Sequence, residues 1–415
     1  MMRRLVSLLI LVTSIACGTA LEAQTVPIRE LSAPSAKSVR HFGTILNVRE
    51  LPHKQLLVND GGNRQLFLLD STLTRAIIVF DSANALGLSY GPRASPLIPY
   101  LADSSIFVDG ASSSLLVIDP SGKLSHAISA PQTRDLRYLS ASASGVDARG
   151  NLIYRIATFA PPKPPSKAGD PTVIQQPDSA LIVRANFASR TVDTLARVRM
   201  NNGSRTEIQR DENGKTLSTK FVINPVVKID EWAVLSGGSI ALVRGQDYHI
   251  DWYRTNDQME STSRLPFDWK RLTDDAKQSL IDSTRRAMEK ELNDSREAIV
   301  NSATAIPNDG PRQPPPALPA ITFVPLSEMS DYYPPIRFGA ARADLDNRLW
   351  ILPTTSSQSK NGELIYDVVN EKGQLTERIR VPVGRSIAGF GHNDVVYLAS
   401  KNSDGWSLER TKILH

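Results

Sequence analysis

The sequence predicts an all-β fold, a six-bladed β-propeller with a helical insertion between the fourth and fifth blades. Three observations carry that expectation. A template of two apolar strands joined by a turn rich in Asp, Asn or Gly occurs six times along the 415 residues. Where copies are adjacent they recur at about 45–50 residues, the span of one four-stranded blade. Adjacent strands are not separated by the helical crossovers that a parallel sheet requires.

The copies follow in order. The first runs Leu56 to Asp60, turns at Gly61-Gly62-Asn63 and continues from Leu66 to Asp70. The second is Ser105 to Asp109, then Leu115 to Asp119 with the turn Pro120-Ser121-Gly122. Val146 to Tyr154 and Ala180 to Val183 make the third; Trp232 to Leu235, Ile240 to Val243 and Ile250 to Tyr253 make the fourth. The fifth is Ala343 to Ile351 with Leu364 to Val369, and the sixth Ile387 to Phe390, Val395 to Leu398 and Trp406 to Glu409. Two wider gaps hold segments outside the template: the proline-rich Ala160 to Pro165 with the polar stretch 201–220, and an insertion at about 268–325. A blade cannot cover its own sheet faces, so neighbours stack in a ring around a channel. The last copy has three clear strands, and Val26 to Leu31 is placed to supply its fourth; the alternative is a strand that starts the first blade.

The N-terminus has the order of a secretory signal. Met1 to Arg4 is basic, Leu5 to Ala16 apolar, and small residues follow at Gly18, Ala20 and Ala23. About 20 apolar residues are needed to span a bilayer and this stretch is shorter. The expectation is a signal peptide at 1–23 and one exported domain at 24–415, periplasmic or secreted. Ser14-Ile15-Ala16-Cys17 resembles a bacterial lipoprotein box, with Ser14 where Leu is usual, so the alternative is a lipid anchor at Cys17. Cleaved after residue 23, the chain holds no cysteine, which excludes disulfides and thiolate chemistry. No later stretch reaches transmembrane length, so no transmembrane helix is expected in the mature chain.

Charge narrows the partners. The 48 basic and 43 acidic residues are scattered, giving a net +5 without a Lys/Arg cluster. That pattern argues against nucleic acid.

Within the insertion, Thr273 stands as N-cap with Asp274 and Asp275 in the first turn. Ala276, Leu280, Ile281, Ala287, Met288, Leu292 and Ile299 then recur at helical steps, about seven turns, until the proline-rich segment from Pro307 to Pro319 ends the helix. Such a helix either packs on the propeller to cover apolar surface or lies over the channel mouth as a lid.

Asp344-Leu345-Asp346-Asn347-Arg348-Leu349-Trp350-Ile351 resembles the D-x-D-G-R-L-W-V element of six-bladed propellers of the NHL and TolB-like groups. Asn59 to Arg64 is similar to the D-x-x-N-x-R element of the same blades, and Asp119 to Leu124 to their outer hairpin turn. Asn347 stands where Gly is usual; Asn also tolerates φ > 0. The resemblance implies fold rather than activity, since this architecture hosts lactonases, quinone-dependent dehydrogenases, lyases, peptide binders and scaffolds.

Catalytic motifs are sparse. The six histidines lack metal-ligand spacing, and Gly237-Gly238-Ser239-Ile240-Ala241 falls short of a nucleophile elbow. The candidate ligand-binding residues are acids near strand ends, Asp60, Asp109, Asp147 and Asp344, with Trp350. In calcium-dependent propeller lactonases acids and amides converge on the channel from several blades. The competing reading has each Asp bonding turn amides and Trp350 packing between blades. No catalytic residue, protein metal ligand or cofactor is assigned, and a channel-bound calcium is left open. Two functions follow: an extracytoplasmic binding or scaffold module for a protein, peptide or glycan, or a metal-dependent hydrolase or lyase with its site in the channel.

Overall fold

The computed structural model describes residues 26–82, 90–91, 95–109, 112, 114–139, 144–162, 165, 167, 169–200, 203–304, 319–355 and 362–415. The signal-like segment with Cys17, and most of the proline-rich segment after the helix, lie outside them.

The chain is a β-propeller. Sheet 1 contains Ile45–Glu50, Leu56–Asp60, Gln65–Leu69 and Ala76–Phe80, paired antiparallel in chain order. Sheet 2 repeats this with Leu97–Pro99, Ser105–Asp109, Ser114–Ile118 and Leu124–Ile128. Sheet 3 is Gly145–Val146, Leu152–Ile156, Ser179–Ala185 and Val192–Arg199; sheet 4 is Glu231–Val234, Ile240–Arg244, His249–Tyr253 and Met259–Ser261. Sheet 5 runs Ala341–Ala343, Leu349–Ile351, Leu364–Val369 and Leu375–Val381, and sheet 6 Arg385–Phe390, Val395–Asn402 and Gly405–Lys412. Each template copy read from the sequence falls in one of these sheets.

First strands of successive sheets lie against one another from sheet 1 to sheet 5, and that of sheet 6 meets that of sheet 1. The close approach of sheets 6 and 1 needs a glycine: a Cβ on Gly389 would stand 2.5 Å from the Val48 carbonyl oxygen. Every pair of neighbouring sheets encloses its own apolar core. Phe107 and Leu116 pack against Leu57 and Leu66 between sheets 1 and 2, and Trp232 against Ile153 and Ile182 between sheets 3 and 4. Burying such side chains contributes about 1.5–3 kcal/mol each, which holds the sheets face to face.

The N-terminal segment departs from the sequence expectation. Ile28–Glu30 pairs parallel to Arg378–Arg380 at the edge of sheet 5, and the strand that completes sheet 6 is Ala36–Lys37, antiparallel to Glu409–Arg410. Two ion pairs accompany the pairing at the sheet 5 edge. Arg29 Nε lies 2.7 Å from Glu377 Oε2, and Arg380 Nη1 lies 2.9 Å from Glu30 Oε1. The chain then steps across the seam, where Leu31 bridges to Ile413 and Phe42 to Trp406.

A seventh sheet, which we call the satellite sheet, stands outside this succession. It joins Thr172–Gln175, Arg205–Arg210, Thr216–Ile223 and Ala320–Phe323, three excursions from the other sheets. The helix Asp274–Thr304 docks on it. Thr273 Oγ1 accepts from the Ala276 amide at 3.3 Å, the expected N-cap. Leu272 and Ile281 share a core with Val222, Val226, Val324 and Met329. Buried Lys277 donates to Asp331 Oδ1 at 2.9 Å and to the Leu326 carbonyl at 3.2 Å. Beyond Arg285, whose guanidinium lies 5.0 Å from the Phe323 ring, Met288 and Leu292 are half-buried and Ala287 is exposed. The packing described for this helix is against the satellite sheet and the segment after it.

Candidate functional site

Strand order gives the ring two unlike ends. The first strands run the same way, so the turns joining first to second and third to fourth strands gather at one end, here called lower. Connections from second to third strands, and from one sheet to the next, gather at the upper end. Lower turns are short, as at residues 100–104, 235–239 and 344–348, whereas upper connections include 157–178, 200–230 and 262–340. The satellite sheet and the long helix therefore all spring from the upper end of sheets 3 and 4.

Between the first strands lies a channel cavity of about 280 Å³, whose lining includes Asn47, Arg49, Glu50, Ser144, Arg342 and Phe390. Asn47 is held in place from behind. Its Nδ2 donates to the Leu97 carbonyl at 2.9 Å, and its Oδ1 accepts from Asn59 Nδ2 at 3.1 Å. Asn59 is itself buried, donating to the Ser95 carbonyl at 2.7 Å and accepting from the Tyr90 hydroxyl at 2.7 Å. Arg49 donates to the Ser104 carbonyl, and burial lowers its guanidinium to about 10. Arg342 Nη1 donates to the Ile387 carbonyl at 2.7 Å. Glu50 accepts from the Tyr397 hydroxyl at 2.6 Å and from the His392 amide at 3.2 Å.

At the upper mouth, Glu231 opens the first strand of sheet 4 and is only 5% exposed. Burial raises its carboxyl to about 7, opposed by Arg155 and by the Gly339 backbone N–H, while Asp230 adds a smaller upward push. Asp230 is engaged elsewhere, by Arg244 Nη1 at 2.9 Å and the Gly245 amide at 3.0 Å. Arg155 reaches the same place from sheet 3, where burial lowers its pKa, and its guanidinium lies 5.6 Å from the half-exposed Phe338 ring. A carboxyl that changes charge near neutrality, next to a guanidinium, can exchange a proton or hold a polar ligand group.

The acids singled out in the sequence do not converge. Asp60 and Asp109 end second strands, at the upper end of sheets 1 and 2; Asp147 and Asp344 follow first strands, at the lower end of sheets 3 and 5. Asp60 accepts from the Gly43 and Thr44 amides, both at 2.9 Å, and from Asn63. Asp109 accepts from the Ser112 amide and hydroxyl. Asp147 binds the Arg149 and Asn151 amides, both at 2.9 Å. Asp344 binds the Asp346 and Arg348 amides, the Arg348 guanidinium at 2.7 Å and the Trp350 indole N–H at 2.8 Å. Trp350 is buried between sheets 5 and 6, 4.9 Å from the Phe390 ring and 6.0 Å from Tyr366. Asn347, in the same turn, has φ 62°.

Sequence reasoning passed over Arg49, Arg155, Glu231 and Arg342. None sits in a motif, and each is one polar residue in a strand whose channel-facing side cannot be read from periodicity alone. Among the described residues no three His, Cys, Asp or Glu side chains are grouped so as to hold a metal ion. No helix among them is long and apolar enough to cross a membrane.

No family model matches the sequence, and no curated protein matches it. Solved structures of β-propeller proteins do align with it. Virginiamycin B lyase from Staphylococcus aureus is 7% identical, with TM-score 0.37, covering 92% of this chain and 99% of its own. A gluconolactonase from Xanthomonas campestris is 9% identical, with TM-score 0.37, covering 94% and 99%. A protein described as exported, from Bacteroides fragilis, is 10% identical, with TM-score 0.40, covering 94% and 99%. The propeller fold follows from the strand pairing of this chain itself, and no activity is carried over from these proteins.

Proposed function

We propose that this chain is a six-bladed β-propeller of the NHL/TolB-like kind, exported after removal of residues 1–23, that binds a protein, peptide or glycan at its upper face. One observation carries the reading. Every long connection of the ring, and with it the satellite sheet and its helix, is built on the face where the channel mouth exposes Phe338 beside Arg155 and Glu231. Loops grouped on one face of a repeat ring are where such folds carry recognition. The turn acids Asp60, Asp109, Asp147 and Asp344 serve that scaffold by binding backbone amides.

Peptide and glycan arrays probed with the wild type, Phe338→Ala and Arg155→Ala test this. The expected result is a ligand that both variants bind at least tenfold more weakly, about 1.4 kcal/mol. A ligand held equally by both variants sinks the upper-face reading. N-terminal sequencing of the exported protein is expected to begin near Gln24; a lipidated Cys17 would place the propeller on a membrane instead.

The buried carboxyl of Glu231 favours a second reading, a hydrolase or lyase using a channel-bound divalent ion such as calcium. Glu231 would then move a proton at the mouth; among the described residues no three His, Cys, Asp or Glu side chains are grouped to hold the ion and the channel lining carries Arg49 and Arg342, so no step is assigned to it. Elemental analysis of the purified protein separates the two. A stoichiometric divalent ion supports the enzyme, and its absence together with array binding supports the module.

A further inference from the structure

Charge compensation inside the ring is uneven. Most partly buried arginines of this chain are matched at short range by a carboxylate. Arg244 meets Asp251 at 2.7 Å, Arg348 meets Asp344 at 2.7 Å, Arg378 meets Asp367 at 2.8 Å and Arg385 meets Glu409 at 2.6 Å. The channel arginines differ. Arg49 and Arg342 donate to the carbonyls of Ser104 and Ile387, and among the described residues no carboxylate stands within 4.0 Å of either guanidinium. Glu50 lines the same cavity, yet its oxygens are taken by the Tyr397 hydroxyl and the His392 amide. Asp103 draws the Arg49 charge only weakly against the cost of burial.

A buried guanidinium without an anion is costly, and folds normally pair it or replace it by an apolar side chain. Two half-buried guanidinia without a carboxylate partner, both lining one small cavity, make a place that an anion would relieve. We propose that the channel is an oxyanion site, in which Arg49 and Arg342 hold the carboxylate of a small hydroxylated acid. The guanidinium fork matches a planar carboxylate with two parallel hydrogen bonds. The cavity of about 280 Å³ has room for one molecule the size of a sugar acid. Asn47, fixed by Asn59 and Leu97 at the same wall, has a second Nδ2 hydrogen to donate to a hydroxyl group. Two arginines against the single carboxylate of Glu50 leave the lining net positive, which favours an anion.

This rests on the reading of the chain as a binding module and names what its channel takes. Calorimetric titration with glucuronate, glucose and inorganic phosphate tests it on the full mature protein. Glucuronate binds the wild type, neutral glucose does not, and Arg342→Gln weakens glucuronate at least tenfold. Phosphate binding as tightly as glucuronate, and lost in the same variant, assigns the site to oxyanions in general rather than to carboxylates. Failure of both anions to bind, or equal binding by Arg342→Gln, overturns the proposal.

Arg49→Met gives a second measurement. Without added anion its melting temperature is expected to match or exceed that of the wild type, because an uncompensated charge has gone. A fall of several degrees would make Arg49 part of the scaffold and overturn its role. An array ligand that binds Arg342→Gln normally, alongside failed anion titrations, leaves the upper-face module standing and removes only the channel site.

Discussion

The turns and the channel of the ring handle polar groups in opposite ways. The turn acids close on amides nearby. Asp147 and Asp344 spend their oxygens on amides within four residues, and Asp344 also receives the buried indole N–H of Trp350. Along the channel the chain leaves charge less fully answered. Glu231 faces Arg155 and one backbone N–H, and Arg49 and Arg342 further down the channel meet only carbonyls. A satisfied carboxylate builds a scaffold and has nothing left to offer a ligand. A charge buried without its counterpart weakens the fold and gains when a ligand arrives. The difference teaches where to look in this chain: among groups that folding leaves uncompensated, rather than among conspicuous acids of turns.

The largest effect that would sharpen the comparison lies at the lower end. Asp344→Ala strands the Trp350 indole N–H and two turn amides, and is expected to cost about 3–4 kcal/mol in urea unfolding. A loss under about 1 kcal/mol would show that the turn does not depend on its carboxylate.

Glu231 at the upper mouth should behave in the opposite sense. Its carboxyl is raised from 4.5 to about 7 in the fold, so between those values the native state holds a proton that the unfolded chain has released. Stability therefore falls as pH rises through that window and stays reduced above it. Glu231→Gln removes the penalty: equal to wild type below about pH 4.5, and more stable above pH 7 by at most about 3 kcal/mol. Melting curves from pH 4 to 8 that run parallel for the two proteins would contradict the assignment.

Smaller again is Ile281→Ala, which opens a cavity between the helix and the satellite sheet at about 2 kcal/mol. Hydrogen exchange should rise in Thr216–Ile223 and in the helix but not in sheets 1 and 2. Exchange that rises throughout would mean the satellite sheet unfolds together with the ring. The smallest change is expected for Phe338→Ala, about 0.5 kcal/mol or less in stability, because the half-exposed ring carries little of the core.

Much of the lower end is legible in the sequence. Asp344-Leu345-Asp346-Asn347-Arg348 reads as a hairpin turn, and Asn347 takes the left-handed conformation there as its chemistry allows. Other lower turns gave no such signal. His53-Lys54 and Ala102-Asp103 each place two successive residues at positive φ without a glycine or asparagine, so the packed sheets more than local preference impose those turns. Of the candidate residues, Trp350 and the four aspartates have the positions expected of strand ends and sheet cores. The channel arginines were invisible, because burial and missing counter-charge are properties of neighbours that lie far away in sequence.

The sequence by itself determined the apolar strands of the six sheets, their Asp- and Gly-bearing turns, and the helix start at Thr273. These depend on side-chain alternation and on hydrogen bonds spanning a few residues, which any short window of the chain contains. Only the tertiary structure decided that Ile28–Glu30 joins sheet 5 while Ala36–Lys37 completes sheet 6. It alone brought Ala320–Phe323 beside Lys220–Ile223 to finish the satellite sheet. Strand pairing between distant segments is selected by which edges and charges the folded chain brings together, and desolvation of Arg49 and Glu231 exists only once the ring has closed around them.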